Sequence, residues 1–266
     1  MIESRQLVAV DVGNSSVKLA AAHGDVVHDH AIPHSSPRWE QSVLDWAQRI
    51  FGEHPIAWRM ASVRRSAANQ LSDAIYQRVA PTQIQFVTHR HVPMPVAVDH
   101  PDRLGIDRLL SAFAASRRAR MPAVVIDAGS AVTVDWVSGS GEFGGGAILP
   151  GLGLQSRSLS TETEALPQLQ WDDPRPFRLP ARNTADAIRA GILVGLSAAI
   201  DELIERYEAN AEAASEPPSV FLTGGDASTI SSHLRHNHQV VPNLVCRGLL
   251  ELPRSLEVSS STPSFD

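Results

Sequence analysis

The sequence predicts an α/β protein made of two similar halves, each built to hold phosphate. Three observations carry this expectation. One phrase occurs twice: residues 7–18 read LVAVDVGNSSVK, and residues 123–134 read AVVIDAGSAVTV. Both are apolar runs that close on Asp-x-Gly and then small hydroxyl or amide residues, with Asp11 and Asp127 set 127 − 11 = 116 positions apart. The pattern around each phrase also repeats, as strand, Asp-Gly turn, strand, strand. Finally, 266 residues suffice for two domains of ordinary size.

The elements follow in order. Leu7–Asp11 is apolar on both faces, as a buried strand requires. Ser16–Ala22 and Val26–Ile32 read as hairpin-linked strands around His23-Gly24-Asp25. Trp39–Phe51 has helical spacing, with Trp39, Val43, Trp46 and Ile50 on one side. Pro55–Val63 reads as a strand and Ala67–Val79 as a helix. Gln83–Thr88 is a short strand leading into a Pro-punctuated loop, His91–Leu104. Gly105–Arg118 is a helix with Leu109, Leu110 and Phe113 on one face. The pattern then restarts with strands at Ala123–Asp127, Ala131–Val137 and Gly144–Leu149.

Residues 154–183 carry Pro167, Pro174, Pro176 and Pro180, and an irregular segment is expected there. Thr184–Ala209 is a long helix, with Thr184 or Asn183 as N-cap and Asp186 in its first turn. Ala211–Ser219 reads as a surface loop, and Val220–Thr223 as a strand running into Gly224-Gly225-Asp226. The expected division is 1–118 and 119–254, with a Ser-rich, disordered tail at 255–266.

Composition removes several function classes. The formal charge is −6 and aromatics make up 5%, which leaves neither a phosphate-backbone footprint nor a stacking platform for nucleic acid. Arg117, Arg118 and Arg120 read as a solvated helix end. Cys246 is the only cysteine, so an intrachain disulfide is impossible and a reducing, cytoplasmic setting fits. No signal-like N-terminus is seen. The longest apolar stretches, such as Ala190–Ile200, fall short of the ~20 residues of a membrane span. His28, His30, His34, His233, His236 and His238 lack a cysteine or carboxylate at zinc-site spacing and are expected at the surface.

The chemistry begins at Asp11-Val12-Gly13-Asn14-Ser15. A buried strand delivers the carboxylate to its end, and Gly13 lets the backbone turn tightly and approach a ligand. Asn14 and Ser15 offer donors beside backbone N–H groups that can form an anion nest, and Lys18 adds a cation. An acid beside anion donors makes sense with a divalent metal between them. The Asp11 carboxylate would hold Mg²⁺ or its waters while the donors hold phosphate oxygens. An ordinary β-turn with Asx chemistry has the same letters. The second copy, Asp127-Ala128-Gly129-Ser130-Ala131, favours two turns gripping a polyphosphate across a cleft. Leu222-Thr223-Gly224-Gly225-Asp226 would let a nucleobase and ribose lie over its glycines. Neither GxxxxGK[ST] nor a post-strand GxGxxG is present.

A duplicated domain with three such turns resembles the actin, hexokinase and Hsp70 ATPase superfamily, of ribonuclease H-like domains. Within it the chain is similar to the type III pantothenate kinases and the Bvg accessory factors that share their words. The words are Asp11-x-Gly13-Asn14-Ser15-x-x-Lys18, Pro101-x-x-x-Gly105-x-Asp107-Arg108 and Asp127-x-Gly129-Ser130-Ala131-x-Thr133. They continue as Gly145-Gly146-x-Ile148-x-Pro150-Gly151, Ala165-Leu166-Pro167, Asn183-Thr184, Thr223-Gly224-Gly225 and Gly248-Leu249.

The resemblance implies ATP-dependent phosphorylation of the pantothenate hydroxyl, the first step of coenzyme A biosynthesis, by a cytoplasmic homodimer. It implies Asp107 as general base, at a helix start whose dipole favours the ionised carboxylate. Gly105, Ile106, Arg108 and Thr184 would line the pantothenate site, Thr184 from the partner subunit. ATP would meet Asp11, Gly13, Asn14, Ser15, Lys18, Ser130, Gly224 and Gly225. Asp127 would hold a monovalent cation, K⁺ or NH₄⁺. The chain departs from the pattern at Val98 (often Tyr), His100 (Asn), Ser130 (Thr) and Val132 (Thr). The alternatives are a kinase for another small alcohol and a non-catalytic nucleotide-binding regulator.

Overall fold

A run of β-branched and small apolar residues with no polar face can satisfy itself only inside a sheet. Gln6–Val12 does this as strand β1, with Val8, Val10 and Val12 fully buried. A computed structural model describes residues 6–24, 26–78, 83–171, 177–211 and 216–253. Asp25, Val79, Pro174, Pro176, part of the loop 211–219 and the tail 255–266 lie outside the described residues.

The first sheet adds β2 (Ser16–His23), β3 (Val26–Pro33), β4 (Ile56–Ser62) and β5 (Gln83–Phe86), in the order β3-β2-β1-β4-β5. β1, β2 and β3 form an antiparallel meander, while β4 and β5 run parallel to β1. Helices α1 (Trp39–Phe51) and α2 (Arg65–Arg78) supply the crossovers. Trp39, Val43, Trp46, Leu71 and Ile75 from these helices share one core with Val8, Val10 and Trp58.

Helix α3 (Ile106–Ser116) precedes a second sheet of β6 (Ala123–Ala128), β7 (Ala131–Val137), β8 (Phe143–Pro150), β9 (Ser219–Thr223) and β10 (Gln239–Val240). Its order is β10-β9-β6-β7-β8, which read from the other edge is the order of the first sheet. β6, β7 and β8 are again an antiparallel meander, and β9 and β10 are again parallel to the first strand. The duplication inferred from two phrases therefore extends to every strand. The helices of this half are α4 (Leu152–Thr161), α5 (Thr184–Asn210) and α6 (Ala227–Ser231); α7 (Leu244–Glu251) follows β10. Ile188, Ile192, Leu196 and Ile200 of α5 pack with Val124, Ile126 and Leu222. Among the described residues, no helix is long and apolar enough to cross a membrane.

The chain forms two units. The first takes residues up to Pro93, then Leu104–Leu110, and resumes at Val245. The second takes Met94–Arg103 and Ser111–Leu244. Met94–Arg103 joins the second because its backbone pairs with the head of β8: Ala97 N–H donates to Phe143 O at 2.9 Å, and Phe143 N–H to Pro95 O at 2.9 Å.

Three expectations need amendment. The irregular stretch at 154–183 begins instead inside helix α4. Its serines and Gly153 are weak helix formers, and its N-cap Gly151 offers no side chain. The helix forms because Leu152 and Ser156 are buried, and Ser156 Oγ accepts Leu169 N–H at 2.7 Å. Second, Asn183 rather than Thr184 caps α5: its Oδ1 accepts Asp186 N–H at 2.9 Å, and its Nδ2 donates to Asp186 Oδ2 at 2.7 Å. Third, not all the histidines are surface residues. His236 Nδ1 lies 2.7 Å from Oδ1 of the buried Asp201, and His238 Nε2 lies 2.8 Å from Ser231 Oγ.

Candidate active site

In the first unit, β1 brings Asp11 to its end, where the residue is only 5% exposed. Its cross-strand partner is Lys18, and Lys18 Nζ lies 4.0 Å from Asp11 Oδ2. The connection Gly13-Asn14-Ser15 is closed by Gly13 N–H donating to Ser16 O at 3.0 Å, and Asn14 and Ser15 are exposed at its tip. A lysine beside a buried carboxylate offsets part of its desolvation.

Asp107 and Arg108 stand half-buried in the first turn of α3. Asp107 Oδ1 accepts the Arg108 N–H at 2.9 Å, so the carboxylate folds back over the start of the helix. A Cβ at Gly105 would lie 2.5 Å from that oxygen, so glycine makes room for the acid. The unsatisfied N–H groups of a helix start favour the ionised form.

Helix α7 braces both places. The Cys246 thiol donates to Lys18 O at 3.4 Å. A Cβ at Gly248 would lie 2.5 Å from Leu110 O, so only glycine lets α7 approach the backbone of α3 this closely. Burial pushes the Cys246 thiol well above its ordinary pKa, and the nearby Asp11 charge adds to this, so the residue packs as a neutral thiol. The far end of α7 is held by Arg59 of β4. The guanidinium is buried and donates to Leu249 O at 2.7 Å, Leu252 O at 3.0 Å, Pro253 O at 3.1 Å and Gln85 Oε1 at 3.0 Å. Neither Arg59 nor Cys246 belongs to a sequence word; only their burial distinguishes them.

In the second unit, Asp127 is half-buried and lies in register with Thr133 and Thr223 rather than with a lysine. Its turn, Gly129-Ser130, is one residue shorter than that of the first unit. Gly151 sits directly on this turn. Its N–H donates to Ser130 O at 3.0 Å, and a Cβ there would lie 2.0 Å from Gly129 O. Gly224 has φ +99°, and a Cβ would lie 2.2 Å from Ala128 O; the next N–H but one, of Asp226, donates to that oxygen at 2.9 Å. The place of a Gly225 side chain is open, with no atom within 4 Å. Thr184 is exposed at the head of α5.

The predicted residues thus fall into two sets. Asp11, Gly13, Asn14, Ser15, Lys18, Gly105, Ile106, Asp107 and Arg108 lie in the first unit, and Asp127, Ser130, Thr184, Gly224 and Gly225 in the second. Two of the departures have a visible packing context. Val132 is fully buried in the second core, where a hydroxyl would need a partner, and Val98 lies 3.6 Å from the Cβ position of Gly145. Among the described residues, no cluster of three or more His, Cys, Asp or Glu could hold a metal by itself. A single buried carboxylate fits a Mg²⁺ ion that keeps waters and shares phosphate oxygens.

A meander followed by two parallel strands, met twice with an Asp-x-Gly turn ending the first strand each time, places the chain among the actin-like ATPase folds. Two solved structures support the fold alone. A conserved protein of Campylobacter jejuni assigned to the Baf family of transcriptional activators aligns with a TM-score of 0.54 at 21% identity, over 91% of this chain and 95% of that one. The ethanolamine utilization protein EutJ of Carboxydothermus hydrogenoformans aligns with 0.55 at 15%, over 95% and 91%. The sequence model of the type III pantothenate kinase family matches residues 7–206. A type III pantothenate kinase of Rhodopirellula baltica is 34% identical over 92% of this chain and 97% of its own length. One from Alkalilimnicola ehrlichii is 35% identical over 92% and 96%. The chain belongs to the type III pantothenate kinase family.

Proposed function

We propose that the protein transfers the γ-phosphoryl group of ATP to the hydroxyl of pantothenate, giving 4'-phosphopantothenate, the first step of coenzyme A biosynthesis. The reading is carried by kinship with these kinases along nearly the whole chain, with Asp11, Asp107 and Asp127 all in place. Asp107 accepts the hydroxyl proton. The freed oxygen attacks the γ-phosphorus in line, the bond to the β–γ bridging oxygen breaks, and ADP leaves. Arg108 and Thr184 hold pantothenate, with Thr184 acting from the partner subunit. Gly13, Asn14, Ser15, Lys18 and Ser130 meet the phosphates, and Gly224 and Gly225 the adenosine. Asp11 holds Mg²⁺, and Asp127 a K⁺ or NH₄⁺ ion. The metal supplies charge neutralisation on the transferring phosphoryl group.

Homodimer formation is supported by α5, which exposes Ala187, Gly191, Val194, Gly195 and Ala198 along one face. Light scattering that returned the mass of one chain would remove it. A cytoplasmic setting is supported by the single, free and buried Cys246.

The test is Asp107→Asn. Phosphorylation of pantothenate, assayed with and without potassium, should fall by about 10²–10⁴-fold while ATP still binds. Undiminished turnover would remove Asp107 as the base.

A further inference from the structure

The turn between β1 and β2 can bind an anion only if its N–H groups face the ligand. In a trans peptide the C=O and N–H point opposite ways, so the turn's function depends on where its carbonyls are held. All three are held from outside the motif. Gly13 O accepts His34 Nε2–H at 2.9 Å. Asn14 O accepts Arg64 Nη1–H at 2.9 Å. Ser15 O accepts the His34 backbone N–H at 2.9 Å. Each N–H that follows, of Asn14, Ser15 and Ser16, therefore points away from a carbonyl that is held, as a turn that presents N–H groups to an anion requires.

His34 is itself fixed. Its ring meets Trp39 edge to face at 4.8 Å between centroids. Because Gly13 O can only accept, Nε2 carries the proton in this bond, and the buried Nδ1 has no partner among the described residues. The repeat shows that this position matters. His34 follows Pro33, which pairs with Ser16, and Gly151 follows Pro150, which pairs with Ala131. Both donate a backbone N–H to the last carbonyl of their turn. In the first unit the His34 side chain reaches a second carbonyl as well, that of Gly13.

We propose that His34 and Arg64 are positioning residues that hold the 13–15 turn in its phosphate-accepting state and oppose a peptide flip that would present carbonyls to the nucleotide. This rests on the reading that the turn meets ATP phosphates. Calorimetric titration of the full chain with ADP, alongside steady-state kinetics, tests it. His34→Ala should weaken ADP binding and raise the KM for ATP about tenfold, and the exposed Arg64→Ala about threefold. The pantothenate KM should stay where it is. His34→Gln, which returns a donor near Nε2, should restore ADP affinity to within about twofold of wild type. Unchanged ADP affinity in both alanine variants would overturn the proposal, as would a glutamine variant no better than alanine. Should circular dichroism show His34→Ala unfolded, Arg64→Ala and His34→Gln decide. A folded wild type that binds no ADP would overturn the kinase reading itself, and this inference with it.

Discussion

The two Asp-Gly turns occupy equivalent places in two sheets of the same strand order, and they are held in place by different means. In the first unit, side chains do the holding: His34 and Arg64 take the turn's carbonyls, and Lys18 stands against Asp11. In the second, backbone does it: Gly151 lies on Gly129-Ser130, and Gly224 lies on Ala128. A side-chain clamp can be weakened by degrees, because an atom can be removed without forcing others to move. A glycine contact cannot, because any added carbon must displace a backbone oxygen. Duplication therefore preserved the framework while the means of support diverged.

The largest expected effect asks which turn carries the reaction. Asp11→Asn should lower kcat/KM by about 10²–10³-fold, the loss of one charged partner to the metal and phosphates. Asp127→Asn should cost about tenfold, read chiefly as a weaker response to potassium. Equal losses in steady-state kinetics would break the contrast between the copies.

Next comes tolerance. Gly151→Ala should destabilise by about 1–3 kcal/mol, seen as a fall of roughly 3–10 °C in Tm. Gly13→Ala, whose Cβ would lie 3.2 Å from Ser16 O, should lose less than about 1 kcal/mol. Thermal melts of the pair that coincide would show the turns to be equally rigid.

The smallest effect sharpens the contrast from the other side, because the second unit contains a side-chain clamp of its own. Buried Asp201 of α5 accepts Arg235 N–H at 3.1 Å, Arg235 Nε–H at 3.2 Å and His236 Nδ1 at 2.7 Å. Burial pushes this carboxyl up, but the hydrogen bonds from His236 and Arg235 outweigh it and hold the pKa below the ordinary 3.8. A depressed folded-state pKa stabilises fully above the unfolded value and is lost as pH falls through the folded one. Asp201→Asn should therefore cost about 1 kcal/mol near neutrality, with the gap from wild type closing below about pH 3.8. A gap in Tm that stays constant down to pH 3 would remove the charge from the explanation.

Much of the fold was legible because its signals are local. β1 and β6 are apolar on both faces, and the helix expected at Trp39–Phe51 forms with those bounds. The motif words placed Asp11, Asp107 and Asp127 at a strand end, a helix start and a strand end. What stayed hidden depends on distant partners. α4 is helical because of what it buries, not because of what it is made of. The five-residue α6 and two-residue β10 are too short for any period to register. His34 and Arg64 act through contacts 21 and 50 residues away, which no spacing rule detects.

Arg59 has a further consequence, for the order in which the chain can be assembled. Its acceptor Leu249 lies 190 residues further along, so during synthesis the guanidinium waits on a strand whose counterpart has not yet been made. The unit that begins the chain is also the one that must wait for residues 245–253. In chain order, the segments of the second unit lie between the bulk of the first and the residues that close it.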